Sequence, residues 1–101
     1  MAYERLVGLQ VADEALYARY REGMSPILAK FGGSFRYDFV LSQVLKKEAE
    51  APMNRVFVLR FPDQAAKEGF FANPDYLKVR DAYFKPSVAA STVIAEYHLE
   101  G

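Results

Sequence analysis

The sequence predicts an α+β domain with the element order β-α-β-β-α-β and a four-stranded antiparallel sheet. Two observations predict this class. Apolar residues alternate along several short segments, and they recur at helical spacing along two longer ones. A chain of 101 residues has room for one domain, so we expect a single domain over residues 1–101. Hydrophobic residues make up 51% of the chain, which is enough for a core.

The first half of the chain supplies a strand, a helix and a second strand. Residues 6–11 alternate and predict the first strand. Asp13 can cap the helix that follows, in which Pro26 should cause a kink near Gly23 to Ser25. Gly32 and Gly33 end this helix, because glycine adopts the left-handed conformation at little cost. The β-branched and aromatic residues of 35–45 predict a long second strand.

The second half completes the order. A charged loop over residues 46–54 leads into a third strand at residues 55–61. The second helix starts at Asp63, is interrupted at Pro74 and ends near Pro86. Residues 92–99 are predicted to form the last strand. This succession is that of the ferredoxin-like split βαβ fold, with both helices on one face of the sheet.

The second face of that sheet is too apolar to meet water. An aromatic set is assigned to the helix side: Phe35, Tyr37, Phe39, Phe57 and Phe61. The other face then holds Leu6, Val40, Val44, Val56, Val58 and Ile94. We expect two copies to pair through this face, since a net charge of zero gives little repulsion. A β-bulge in the second strand would reverse the assignments there.

Polar residues on the same predicted face are candidates for a ligand pocket between the two sheets. They are Gln10, Asp38, Arg60, Glu96 and His98. Arg60 could orient an anionic or carbonyl group while Asp38 or His98 moves a proton. The alternative is that Arg60 and Asp38 form an ion pair that sets the dimer register. His98, the only histidine, is close to the terminus, which favours a solvated or structural side chain over a role in acid–base chemistry.

The tyrosines at helical spacing also have two interpretations. Tyr17, Tyr20, Tyr76 and Tyr83 can pack in the core with their hydroxyl groups at the surface. Alternatively, they can line a pocket at the edge between helices and sheet.

Composition excludes other classes of function. There is no cysteine, so disulfides and thiolate chemistry are absent, and with one histidine we expect no metal site and no cofactor. The balanced charge argues against nucleic-acid binding. No apolar run approaches the ~20 residues of a membrane span, and the N-terminus does not resemble a signal peptide. We therefore expect a cytoplasmic protein.

Several short segments span nearly the whole chain: the N-terminal strand, Tyr17 to Tyr20, Pro26, Phe31-Gly32-Gly33, residues 55–62, Asn73-Pro74-Asp75-Tyr76 and Arg80. In their order and spacing they show a resemblance to the bacterial domain-of-unknown-function family 1330. It implies a homodimer of the dimeric α/β-barrel superfamily and carries over no catalytic residue.

Together these observations predict a homodimer that binds a small organic molecule in the cleft between its sheets. A cofactor-free enzyme, similar to the monooxygenases or isomerases of that superfamily, is one form of this function. The alternative is a non-catalytic module for ligand sensing or protein interaction, for which we would expect a closed, dry interface between the sheets.

Overall fold

The computed structural model describes residues 2–100, and its elements follow the predicted order. They are β1 (Ala2–Val11), α1 (Glu14–Lys30), β2 (Ser34–Val40), β3 (Arg55–Phe61), α2 (Gln64–Ala72), α3 (Pro74–Val79), a π-helical turn (Arg80–Phe84), α4 (Lys85–Ser87) and β4 (Val88–Leu99). The first and last strands of the chain, β1 and β4, start earlier than predicted. Strand β2 ends earlier than predicted. None of these helices is long and apolar enough to cross a membrane.

The strands form one antiparallel sheet in the order β2-β3-β1-β4. Helices cover one face, where alternate residues of β1 and β3 meet the helical side chains. The buried cluster on that face includes Val7, Leu9, Val11, Tyr17, Tyr20, Met24, Leu28, Phe57, Leu59, Phe61, Phe70 and Tyr76. The predicted α+β, ferredoxin-like arrangement is confirmed. Strands β2 and β4 are edges, so the sheet is not closed into a barrel within one chain.

Helix α1 has the predicted ends. The Asp13 carboxylate accepts a hydrogen bond from the Leu16 N–H at 3.0 Å, which satisfies one of the free donors of the first turn. At the other end Gly32 has φ of +72°, and the N–H of Gly33 donates to the Leu28 carbonyl at 2.9 Å. Glycine is favoured there because this backbone conformation is strained for other residues. The helix continues through Pro26 to Lys30.

A β-bulge in β2 corrects the predicted faces of that strand. Phe35 pairs with Leu59 but Tyr37 pairs with Val58, so Arg36 is an extra residue. Beyond an inserted residue every side chain changes face. Tyr37 and Phe39 therefore lie on the helix-free face, where they are 54% and 53% exposed, and the prediction that they face the helices is wrong.

A second bulge, in β4, has the same effect near the C-terminus. Leu6 pairs with Ala95 and Val7 pairs with Val93, which leaves Ile94 as the extra residue. Residues after Ile94 therefore alternate in the opposite sense to the prediction. In particular, Glu96 is paired with Arg5 and His98 with Tyr3, on the face that the helices cover.

Candidate functional site

The five residues predicted for the pocket lie on two faces of the sheet. Gln10 and Arg60 lie on the helix-free face, but Arg60 pairs with Glu4, six residues from Gln10 along β1. At ~3.3 Å per residue this separates them by about 20 Å, so Gln10 and Arg60 are not neighbours.

The other three lie on the helix side. The Asp38 carboxylate contacts Arg21 Nη1 at 2.9 Å and Arg55 Nε at 3.4 Å, so the predicted pair with Arg60 is wrong. The bulge at Arg36 is the reason, because it turns Asp38 toward α1. On β4, Glu96 pairs with Lys67 Nζ at 3.0 Å.

His98 packs on an aromatic ring at the same end of the sheet. Its ring centre lies 4.9 Å from that of Tyr3 in an edge-on arrangement. An inter-sheet cleft can therefore receive Gln10 and Arg60 but not Asp38, Glu96 or His98. Whether Gln10 or Arg60 binds a ligand stays a prediction.

A cavity of about 330 Å³ lies between the sheet and the helices of the same chain. We call it the helix–sheet cavity. Its apolar wall is formed largely by the rings of Phe35, Phe57, Phe71 and Phe84. Ligand sites in proteins range over ~300–1,000 Å³ and are mostly apolar with a few polar groups, so this cavity is of the size for a small ligand.

Three tyrosines line the helix–sheet cavity. Tyr17 and Tyr20 lie on α1 and Tyr76 lies on α3, and all three are buried. The hydroxyl groups of Tyr20 and Tyr76 share a hydrogen bond of 2.9 Å, whereas the Tyr17 hydroxyl lies beside the Arg21 guanidinium but makes no well-formed hydrogen bond within residues 2–100. The interpretation as pocket residues fits these three, while Tyr83 is not among the lining residues.

These hydroxyl groups are held in the neutral form. Burial raises the pKa of Tyr20, and the adjacent Tyr76 adds to this. Burial also raises the pKa of Tyr17, where the Arg21 guanidinium acts in the opposite direction, and the pKa of Tyr76, where the Tyr20 hydroxyl does so. Neutral phenols donate and accept hydrogen bonds but do not act as bases at pH 7. The tyrosines are therefore suited to binding a polar group.

Two arginines complete the polar lining. Arg80 belongs to the π-helical turn, where the Lys85 N–H donates to the Arg80 carbonyl. Such turns are rare in proteins overall, but those that occur are often found at functional sites. The Arg80 side chain is bound to Asp81 Oδ1 at 3.2 and 3.1 Å. Arg5 lies with its guanidinium 4.4 Å from the centre of the Phe71 ring. Its Nε is buried and has no hydrogen-bond partner among the residues that the structure describes.

A separate polar cluster lies on the helix-free face, centred on Glu4. The Glu4 carboxylate accepts hydrogen bonds from Arg60 Nε at 2.9 Å, Arg36 Nη1 at 3.3 Å and the Tyr97 hydroxyl at 2.9 Å. The Glu4 side chain is only 8% exposed. The bond to Glu4 raises the pKa of Tyr97, so that hydroxyl stays the donor. We call these four residues the Glu4 cluster.

Sequence reasoning missed both Glu4 and Arg5. The predicted first strand started at Leu6, so neither residue was assigned to a face. Extending the alternation back to Ala2 would have placed Arg5 with Val7 and Glu4 with Leu6. The bonds of Glu4 to β2 and β4 depend on the bulges at Arg36 and Ile94, which the sequence does not reveal. No group of histidine and carboxylate side chains within residues 2–100 is arranged to hold a metal ion.

The sheet order, the helices on one face and the apolar second face define a ferredoxin-like α+β domain. The chain belongs to the family described as a domain of unknown function, DUF1330, which matches residues 5–97, and this confirms the predicted family. No curated protein matches the chain.

Solved structures support the same fold. A protein of unknown function from Rhodopseudomonas palustris is 17% identical, with a TM-score of 0.82 over 99% of this chain and 84% of that one. A dimeric ferredoxin-like protein of unknown function from Jannaschia is 13% identical, with a TM-score of 0.61 over 98% and 100%. Two further similar structures are also described as dimeric. A protein from Bacteroides thetaiotaomicron with a proposed identity as an antibiotic biosynthesis monooxygenase is 17% identical, with a TM-score of 0.65 over 98% and 90%.

Proposed function

We propose that this protein is a homodimer that binds a small organic molecule in the helix–sheet cavity of each subunit. The proposal is supported by the size of this cavity together with two buried hydrogen-bond donors that have no partner in the part of the chain that the structure describes. An aromatic cavity of about 330 Å³ is lined by Tyr17 and Arg5, and the Tyr17 hydroxyl and Arg5 Nε are buried without hydrogen-bond partners among residues 2–100. Buried donors that are left unsatisfied cost ~1–3 kcal/mol each, and a ligand with acceptor oxygens would recover that cost.

The cavity replaces the inter-sheet cleft as the proposed ligand site. The predicted cleft residues are divided between the two faces of the sheet, whereas the cavity residues converge within one chain. The lining residues include no carboxylate, histidine or lysine. This favours binding or positioning of a molecule over acid–base catalysis by the lining. A monooxygenase-type reaction that needs no protein base is compatible with such a site, and the similarity to the Bacteroides thetaiotaomicron protein makes it worth assaying.

The dimer is proposed to form through the helix-free face. Large apolar side chains on that face are half exposed in the single chain: Tyr37 at 54%, Phe39 at 53% and Ile94 at 47%. The occupant that we propose is a second copy, because the net charge is zero and several proteins of the same fold are dimeric. The Glu4 cluster lies on the same face and would be covered by the partner.

A matched pair of variants at Ser91 tests the ligand site. Ser91 is an exposed cavity residue on β4, so a large side chain there should narrow the entrance without disturbing the core. A panel of small aromatic compounds is screened by calorimetry and ligand-observed NMR. We expect compounds that bind the native protein to bind S91A equally and S91F at least tenfold more weakly. If no compound binds, or if S91F binds as well as S91A, the cavity is not a ligand site.

The dimer is tested with Phe39→Asp, which places a charge where the proposed partner covers the ring. Because Phe39 is half exposed in one chain, the subunit should stay folded. Light scattering at micromolar concentration should give twice 11.4 kDa for the native protein and 11.4 kDa for the variant. The control is Ala65→Asp at an exposed helix position, which should remain dimeric. A native protein that is monomeric would refute this part of the proposal.

A further inference from the structure

We propose that the natural ligand of the helix–sheet cavity is a planar aromatic molecule with an anionic oxygen, of the class of aromatic carboxylates with one or two rings. This inference rests on the proposed function, since it names the chemistry of the ligand for that site. It is drawn from the charge, the free donors and the shape of the cavity, in that order.

The charge comes from Arg5. A guanidinium is charged at every accessible pH and normally has an anionic partner when it is buried. Arg21, Arg36, Arg55, Arg60 and Arg80 each have a carboxylate within 4.0 Å.

Arg5 has no carboxylate within that distance among residues 2–100, although it borders the cavity. Its cross-strand neighbour Glu96 is bound to Lys67 at 3.0 Å and interacts with the charge of Arg5 only at longer range. The second cavity arginine, Arg80, is already neutralised by Asp81. The unpaired positive charge therefore faces a space whose lining holds no negative side chain, and an anionic group on the ligand would complete it.

The free donors require acceptor atoms on the ligand. Both Tyr17 Oη and Arg5 Nε are buried and unpartnered, and both can donate. A carboxylate offers two oxygens with about four lone pairs, so it can receive a guanidinium and a hydroxyl together. The Tyr17 phenol stays protonated because burial raises its pKa, so its proton is available for this bond.

The shape of the cavity selects a flat apolar body. Its wall contains ring pairs such as Phe35 with Phe57, which meet edge to face with centres 5.4 Å apart, and Tyr20 with Phe84 at 4.9 Å. Faces and edges of this kind pack well against another aromatic ring. An engineered protein cavity of ~150 Å³ holds benzene, so a cavity of 330 Å³ has room for a ligand of about two rings.

The test compares 2-naphthoate with its neutral isostere 2-naphthamide and with the saturated anion cyclohexanecarboxylate, by calorimetry on the intact native protein. We expect 2-naphthoate to bind at least tenfold more tightly than either, because the loss of a charge-assisted hydrogen bond or of ring stacking costs about that factor. Equal binding of the naphthoate and the naphthamide would overturn the anionic assignment. Equal binding of naphthoate and cyclohexanecarboxylate would overturn the aromatic one. Both results leave the proposed ligand site standing, whereas binding of the probes that S91F does not weaken refutes the site itself.

Variants then assign the anion to its partner. Arg5→Met keeps an apolar stem and should remove the preference for naphthoate over naphthamide, while Arg19→Met, an exposed arginine on α1, should keep it. Tyr17→Phe removes only the free hydroxyl and should weaken both compounds severalfold. If Arg5→Met does not fold, the comparison of the two compounds on the native protein still decides the charge. A folded Arg5→Met protein with the native preference would contradict the role of Arg5.

Discussion

Replacing Glu4 by glutamine tests whether the Glu4 cluster is a stabilising element of the helix-free face. The substitution keeps the size and shape of the side chain and removes its charge. Glu4 accepts two hydrogen bonds from arginines and one from a tyrosine, and its carboxylate is 8% exposed. A Glu4→Gln protein therefore keeps its packing but leaves Arg36 and Arg60 without a counter-charge.

The magnitude follows from the bonds that change. A hydrogen bond to a charged group contributes ~1.5–3 kcal/mol and one between neutral groups ~0.5–1.5 kcal/mol, so each arginine contact loses about 1 kcal/mol. The two arginine side chains are 35% and 37% exposed, so water recovers part of this and the total should be about 1 kcal/mol. For a domain of this size that corresponds to a fall in Tm of roughly 4–8 °C.

Glu14 offers a matched control. Its carboxylate also contacts an arginine, Arg55 Nη1 at 3.4 Å, but it is 64% exposed. Glu14→Gln should lower the free energy of unfolding by only about 0.5 kcal/mol. Water screens the contact with Arg55, and the remaining loss is that of a negative charge at the N-terminus of α1. Both variants are unfolded in urea at the same protein concentration, because the stability of a dimer depends on concentration. If Glu4→Gln loses no more stability than Glu14→Gln, the cluster is not a net stabilising network.

Two further predictions concern the fold. Gly32→Ala should lose about 1–2 kcal/mol in urea unfolding, because φ is +72° and the new Cβ would lie 2.7 Å from Pro62 Cγ; Gly32→Asn should lose less, and an unchanged alanine variant would contradict the strain argument. At β4, partial burial acts against ionisation of Glu96, but Lys67 holds its pKa below the usual 4.5. Because the Glu96 pKa is lower in the folded protein, the Glu96–Lys67 pair stabilises the fold above pH 4.5. This stabilisation is lost as the pH falls through the pKa of Glu96 in the folded protein. The native protein should therefore be more stable than Glu96→Gln at neutral pH, and this difference in the free energy of unfolding should disappear by pH 3. A difference in stability that does not depend on pH would contradict the pairing.

The order of elements could be predicted because each signal is local. Asp13 caps α1, Gly32 ends it, and Asn73 with Pro74 starts a new helix, where the Asn73 side chain accepts from the Asp75 and Tyr76 N–H groups. Such choices depend on a few neighbouring residues, so the sequence contains them. The resemblance to the family rested on several of the same positions.

The candidate site could not be predicted as well, because it depends on registers across strands. The assumption of unbroken alternation placed Asp38, Glu96 and His98 on the helix-free face. The inserted residues Arg36 in β2 and Ile94 in β4 moved all three to the helix side. A bulge is stabilised by contacts with the neighbouring strand and with the helices that cover the sheet. No residue type in β2 or β4 indicates its position.

The bulge at Arg36 connects the two proposed features of this protein. It places both Arg36 and Tyr37 on the helix-free face, where one binds Glu4 and the other adds to the apolar surface. The same insertion turns Asp38 toward α1, where it binds Arg21.

The Arg21–Asp38 ion pair connects strand β2 to helix α1. It lies beside the cavity wall, because the Arg21 guanidinium is 3.7 Å from the centre of the Phe35 ring, which lines the cavity. Removing the bulge would therefore weaken the dimer surface and the ligand site together. Phe39→Asp and Ser91→Phe should each affect only one of them, so deletion of Arg36 is the variant that links both properties to one local irregularity of the sheet.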